Sequence, residues 1–336
     1  MEFGICFKGV VSPPRARQLV RQAEAAGFSH CWFYDSHILW RDCYAAIAMC
    51  MEHTTRMRFG PCVTNPNVRD WSVAASLFAS LALQSGGRLD IGLGRGDSSM
   101  RVMGKKPATL ARVAQFTHVI KALCRGEEVS YDGSAEPVQF NWTGGFEPPV
   151  WIGAYGPKAL ATAGEHGDGV VLQIGDPDLV SWFARQCHAA GEAIGRDMSS
   201  FRVMAAAPAF FGSRDEGIAA TQWFPAMVGN HVADIVEKYG QNTDLVPRSL
   251  TDYIEKRRGY DYKKHGQSDN PYLDFITPDI VESFCVLGTP SDHIEKLEAL
   301  EAAGTTQFNI YLDNGSEEKI IEEYGRKIIP ELRSAA

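Results

Sequence analysis

Residues 86–101 read GGRLDIGLGRGDSSMR, and this stretch decides how the rest of the chain is understood. Gly86 and Gly87 make a turn. Leu89, Ile91 and Leu93 form a short apolar strand that runs straight into Gly94, Arg95, Gly96, Asp97, Ser98 and Ser99. Small side chains, open backbone N–H groups, one cation and one carboxylate thus follow a buried strand directly. Two readings fit: a glycine-rich reversal of the chain, or a ligand-binding loop at the C-terminal end of a barrel strand. The surrounding sequence separates them.

Working back from that stretch, apolar runs over 3–7, 31–34 and 57–63 each end in polar residues. Helical patterns over 16–26, 44–52 and 71–84 follow them, the first opened by Ser12-Pro13-Pro14 and stopped by Gly27. Working forward, a helix over 109–124 leads to strands over 150–154, 169–173 and 202–211, with a helix over 178–190 between the last two. Helices over 290–303 and 317–332 bracket an eighth strand over 307–312. Eight strands with helical returns predict a (β/α)8 TIM barrel over 1–336, a single domain with insertions. Asp132-Gly133 between two alternating runs predicts a hairpin excursion near 127–148. The period breaks near 212–283, where a helix over 218–239 and the stretch KRRGYDYKKHGQSDNPY are read as an insertion.

Composition narrows the function. A net charge of −8 excludes a polyanion-binding surface of nucleic-acid or membrane type, while leaving room for a local basic pocket. The eight cysteines are scattered without CxxC pairs or Cys/His clusters, so no metal site is expected. Reduced thiols, no leader-like apolar core at the N-terminus and no run of about 20 apolar residues predict a cytoplasmic chain.

In a TIM barrel the strand tips share one mouth. Here they carry Lys8; Asp35, Ser36 and His37; Cys62, Val63, Thr64 and Asn65; Arg95, Gly96, Asp97 and Ser98; Gly153, Ala154, Tyr155, Gly156, Pro157 and Lys158; then Gln173 and Asp176. Hydroxyls, amides and glycines dominate, with no Ser/His/Asp order, which suits cradling a large polar cofactor. The Gly153–Lys158 turn is the candidate phosphate site, because glycine admits close approach and proline presets a helix N-terminus; a plain strand-to-helix turn is the alternative. His37 is a candidate acid/base, or a residue that orders its loop. Asp97 positions a substrate or cofactor edge, or caps the next segment. Cys62 reads as a packed strand residue more readily than as a reactive thiol.

The segments EAAGFSHCWFYDSH, RMRFGPCVTNPNVRD, SGGRLDIGLGRGDSSMR, PVWIGAYGPKALATAGEHGDGVVL and VLGTPSDHIEKLEALEAAGTTQFNIYL, in this order, resemble the luciferase-like flavin-dependent oxidoreductases. Within that family the likeness is to the deazaflavin (coenzyme F-420) branch, which includes methylenetetrahydromethanopterin reductase. The resemblance implies a bacterial luciferase-like barrel that binds coenzyme F-420, or FMN, non-covalently at its mouth. It implies a cis non-proline bulge at Cys62–Val63, a phosphate loop at Gly153–Pro157, a carboxylate at Asp97 and an active-site histidine at His37. Relatives that use the deazaflavin commonly have Asp directly before that histidine; here Ser36 stands there and Asp35 precedes it. The activity implied is hydride transfer between cofactor and a small organic substrate, with His37 handling the proton and Asp97 orienting the reacting group. Alternatives are an FMN monooxygenase supplied by a separate flavin reductase, a hydrolase or lyase acting on a phosphorylated metabolite, and a non-catalytic barrel. A homodimer through the second and third helices is also implied.

Overall fold

The computed structural model describes residues 1–229, 276–313 and 315–334. Its first half repeats strand and helix: β1 (Glu2–Phe7), α1 (Pro13–Ala25), β2 (His30–Phe33), α2 (Cys43–Met51), β3 (Arg58–Pro61), α3 (Trp71–Ser85) and β4 (Ile91–Leu93). The chain continues through α4 (Asp97–Arg101), α5 (Leu110–Arg125), β5 (Val150–Gly153), α6 (Pro157–His166), β6 (Gly169–Leu172), α7 (Pro177–Ala193), β7 (Arg202–Phe211) and α8 (Arg214–Thr221). After a further helical run over 223–229 come α9 (Pro278–Phe284), β8 (Val286–Gly288), α10 (Pro290–Ala302) and β9 (Gln307–Tyr311). The chain ends in α11 (Glu317–Glu323), a π-helical turn (Tyr324–Ile328) and α12 (Ile329–Ser334).

All ladders are parallel, in the order β3-β2-β1-β9-β7-β6-β5-β4. Single bridges from Phe59 to Leu89 and from Thr64 to Leu93 join β3 to β4 and close the ring. At this seam the two strands come unusually close: a Cβ on Gly92 would lie 2.4 Å from the Pro61 carbonyl oxygen. Glycine in the opening stretch is therefore a packing requirement as well as a loop feature. Gly86, at φ +67°, ends α3 in the left-handed conformation open to glycine.

Among the described residues eight strands make the ring, as the pattern predicts; β8 is a ninth, paired there only to the far end of the ten-residue β7. At three residues it offers too few side chains for a period to register. Helix α8 begins at Arg214, four residues before the expected start, because Ser213 and Glu216 form a reciprocal capping box. The remainder of the expected 218–239 helix, from 230 on, and the basic stretch lie outside the described residues. The hairpin excursion is reduced to one antiparallel bridge, Val129 to Val138, with Gly133 at φ +87° in its turn.

The barrel interior is filled by fully buried side chains such as Trp32, Trp151 and Tyr311. Toward the strands' N-terminal ends it holds an ionic knot. The fully buried Asp90 accepts from His30 Nε2 at 3.0 Å and from Arg58 Nε and Nη2 at 3.0 and 2.9 Å. Burial alone would raise the Asp90 pKa, but these hydrogen bonds outweigh it and hold the carboxyl well below the usual range. Removing one partner of such a knot costs about 3–5 kcal/mol, because the other charge stays buried. The floor is thus ordered independently of the mouth, where the loops carry the chemistry.

Candidate active site

A cavity of about 400 Å³ opens at the C-terminal ends of the strands. Asp35 and Ser36 after β2, Cys62 and Val63 after β3, Arg95 to Ser98 after β4, Gly153 to Gly156 after β5 and Gln173 after β6 all line it. Lys158 also faces it. Five successive strand tips therefore converge, as the barrel topology requires.

Each wall is tied to its neighbours. Asp35 is buried, and its Oδ2 accepts from Arg69 Nη1 (2.8 Å), Tyr44 Oη (3.1 Å) and Thr64 Oγ1 (2.8 Å). Arg69 also lies over the Tyr44 ring at 4.5 Å and reaches Asp42, the N-cap of α2. Three donors hold Oδ2 and Arg69 Nη2 reaches Oδ1 at 3.5 Å, so Asp35 works as a fixed corner of the wall. Ser36 and Ser98 hydroxyls meet at 3.1 Å, and Asn65 Nδ2 donates to Ser99 Oγ at 3.0 Å. These two bonds pin α4 against the tips of β2 and β3. Gly96 caps α4 at φ +83°, where a Cβ would strike Asn65 at 2.6 Å. Asp97 begins α4 and faces the cavity, with Arg101 Nε 3.3 Å from its Oδ1.

Across the cavity, the Tyr155 hydroxyl donates to Gln173 Oε1 and accepts from the Gln173 backbone N–H, both at 3.0 Å. Gln173 Nε2 in turn donates to Tyr311 Oη at 2.7 Å. Burial raises the phenol pKa values of Tyr155 and of Tyr34, so both remain protonated at neutral pH. The peptide between Cys62 and Val63 is cis.

Helix α6 starts at this wall with Gly156 as N-cap and Pro157 in its first turn, and no side chain caps it. Its first N–H groups and positive dipole end therefore meet the cavity without an acceptor among the described residues, the arrangement that receives a phosphate. This donor set, the adjacent glycines and a cavity within the roughly 300–1,000 Å³ of cofactor sites fit a phosphorylated flavin-type group.

Not every expected residue reaches the cavity. Thr64 and Asn65 are buried behind its wall, where they hold Asp35 and Ser99. Pro157 shapes the helix start and does not line the cavity. The His37 side chain is exposed, two residues beyond Asp35, and is not among the lining residues. Tyr34, Leu110, Ala159, Val171 and Met227 line the cavity without having been expected. The aromatic end of the second apolar run was a signal for Tyr34. Leu110 and Met227 come from elements remote in sequence, and no local pattern marks them.

The family model of luciferase-like monooxygenases matches residues 1–307. The chain belongs to this family. It is 30% identical to 5,10-methylenetetrahydromethanopterin reductase of Archaeoglobus fulgidus, over 99% of this chain and 100% of that protein. It is 26% identical to the F420-dependent hydroxymycolic acid dehydrogenase of Mycobacterium tuberculosis, over 93% of this chain and 82% of that protein. Among solved structures it is similar to the coenzyme F420-dependent tetrahydromethanopterin reductase of Methanopyrus kandleri, with a TM-score of 0.77, 23% identity and coverage of 98% and 99%. This luciferase-like family member has no helix, among the described residues, long and apolar enough to cross a membrane, and no group of side chains able to hold a metal ion.

Proposed function

We propose that this protein is a coenzyme F-420-dependent oxidoreductase that moves hydride between its cofactor and a small organic substrate. The observation that carries this reading is the uncapped N-terminus of α6 opening on a cavity with a closely tied polar wall. The likeness to an F420-dependent hydroxymycolic acid dehydrogenase, matched over 93% of this chain, supports the deazaflavin over FMN.

Gly153, Ala154, Tyr155 and Gly156, with the first turn of α6, would hold the phosphate; Cys62, Val63, Gly94 and Gln173 would flank the ring system. When bound, the cofactor supplies a carbon that gives or takes hydride. The protein's part is position and exclusion of water. Tyr34, Trp40 and Met227 supply the apolar side against which a substrate is held. Asp97 orients the reacting group and exchanges its proton, because His37 does not line the cavity and Asp35 is held in the wall by three donors on its Oδ2. Eight buried free cysteines suit a reducing cytoplasm. We also propose a homodimer through α2 and α3.

The family name favours a second reading, an FMN monooxygenase fed by a separate flavin reductase. Fluorescence-quenching titration of the purified chain separates the two. The first reading expects micromolar or tighter binding of coenzyme F-420; such binding of FMN with none of coenzyme F-420 overturns it.

A further inference from the structure

The chain carries a net charge of −8, yet residues 95–112 hold five cations and a single carboxylate. Arg101 pairs with that carboxylate, Asp97, and Arg112 pairs with Asp132 at 2.7 Å. Arg95, Lys105 and Lys106 have no carboxylate partner among the described residues. Like charges gathered on an acidic protein repel one another and create a local positive field. Such a cluster calls for an anionic ligand.

The fold places these cations at the cavity mouth. Arg95 lines the cavity. Beyond α4 the chain loops out and returns to the same point: Lys105 N–H bonds the Met100 carbonyl at 2.9 Å, Ala108 N–H bonds the Arg95 carbonyl at 2.9 Å, and Arg95 Nε bonds the Ala108 carbonyl at 2.7 Å. Leu110, two residues on, lines the cavity again. Lys105 and Lys106 are therefore exposed on the outer lip of a loop anchored at both ends to the rim.

A phosphate at α6 would be served by backbone N–H groups and by Lys158. It leaves the three cations after β4 unused. FMN ends at its phosphate, whereas the chain of coenzyme F-420 continues past its phosphate into carboxylates. We infer that Arg95, Lys105 and Lys106 form a subsite for the carboxylate-bearing tail of the cofactor beyond its phosphate. This rests on the reading given under Proposed function. Exposed Lys–carboxylate pairs are individually weak and screened within about 8 Å at physiological salt, so two or three of them raise affinity about three- to tenfold.

The test titrates the full chain with coenzyme F-420 carrying several glutamates and with the tail-less phosphate form, at low and at high salt. At low salt the glutamylated form is expected to bind about three- to tenfold tighter. That advantage is expected to vanish at high salt and in the Lys105→Gln/Lys106→Gln variant, with tail-less affinity unchanged. Equal affinity for the two forms, or an advantage that survives in the variant, overturns the subsite while the cofactor reading stands. Failure of both forms to bind overturns the reading and the subsite together.

Discussion

Asp35 and Asp97 both face the cavity, but their surroundings give them different work. Three donors converge on Asp35 Oδ2, so this carboxylate holds β2, β3 and α2 in register at the mouth. Asp97 stands at the start of a five-residue helix, steadied by an i,i+4 contact to Arg101. A carboxylate that handles a proton in the transition state contributes about 10²–10⁴-fold. Asp97→Asn is therefore expected to lower kcat/KM by that order with little change in cofactor affinity. His37→Ala, at an exposed position off the cavity wall, is expected to change it by less than about threefold. Steady-state kinetics on both variants decide the assignment: a large loss for His37→Ala with none for Asp97→Asn would return the proton to the histidine. The sequence put both residues at strand tips correctly. It could not show which way a side chain turns after the tip, because that depends on the Ser36–Ser98 and Asn65–Ser99 bonds between loops distant in the chain.

At the level of elements, long βα repeats were legible and short pieces were not. β7 keeps its expected bounds over ten residues, and α3 and α5 end where Gly86 and Gly126 take positive φ. β8 and α4, three and five residues long, owe their form to the ends of β7 and β4 rather than to any local period. One element junction has a pH signature. His293 on α10 is wholly buried, lies 4.0 Å above the Phe211 ring, and has Nε2 against the Phe210 carbonyl and Nδ1 against Tyr324 Oη, both at 3.2 Å. Burial lowers its pKa to about 4, against smaller opposing effects of the Phe210 carbonyl, Asp292 and Glu323. The folded state thus keeps the imidazole neutral where the unfolded chain, near 6.5, takes up a proton. Stability is fully present above that unfolded value and falls as pH drops toward 4, by up to about 1.4 kcal/mol per pH unit from this group. Denaturant midpoints measured between the two values should show a shallower pH slope for His293→Gln than for wild type. Identical slopes would remove His293 from the account.

For the whole molecule, the distribution of charge argues for a pair. Helices α2 and α3 contain no charged residue, although α1 and α7 on the same outer layer carry several. Val73 and Leu83 on α3 are 59% and 48% exposed, and Ala45 on α2 is exposed as well. A helix at the surface of a monomer ordinarily turns a polar, charged face to water. Two chains of net charge −8 repel wherever their carboxylates approach within a Debye length of about 8 Å, so the neutral side is the face on which a second copy can settle. A stable pair needs about 800 Å² buried per partner, which two neighbouring helices of nine and fifteen residues can supply. Light scattering on the purified chain should then give twice 37.0 kDa. Val73→Glu/Leu83→Glu, which places two carboxylates on each facing surface, should give the single-chain mass with an unchanged far-ultraviolet spectrum. A wild-type mass of one chain would sink the dimer, and a double variant that still doubles would move the interface elsewhere. None of the cavity-lining residues lies on α2 or α3, so the monomeric variant is expected to keep its cofactor affinity, which separates loss of pairing from loss of fold.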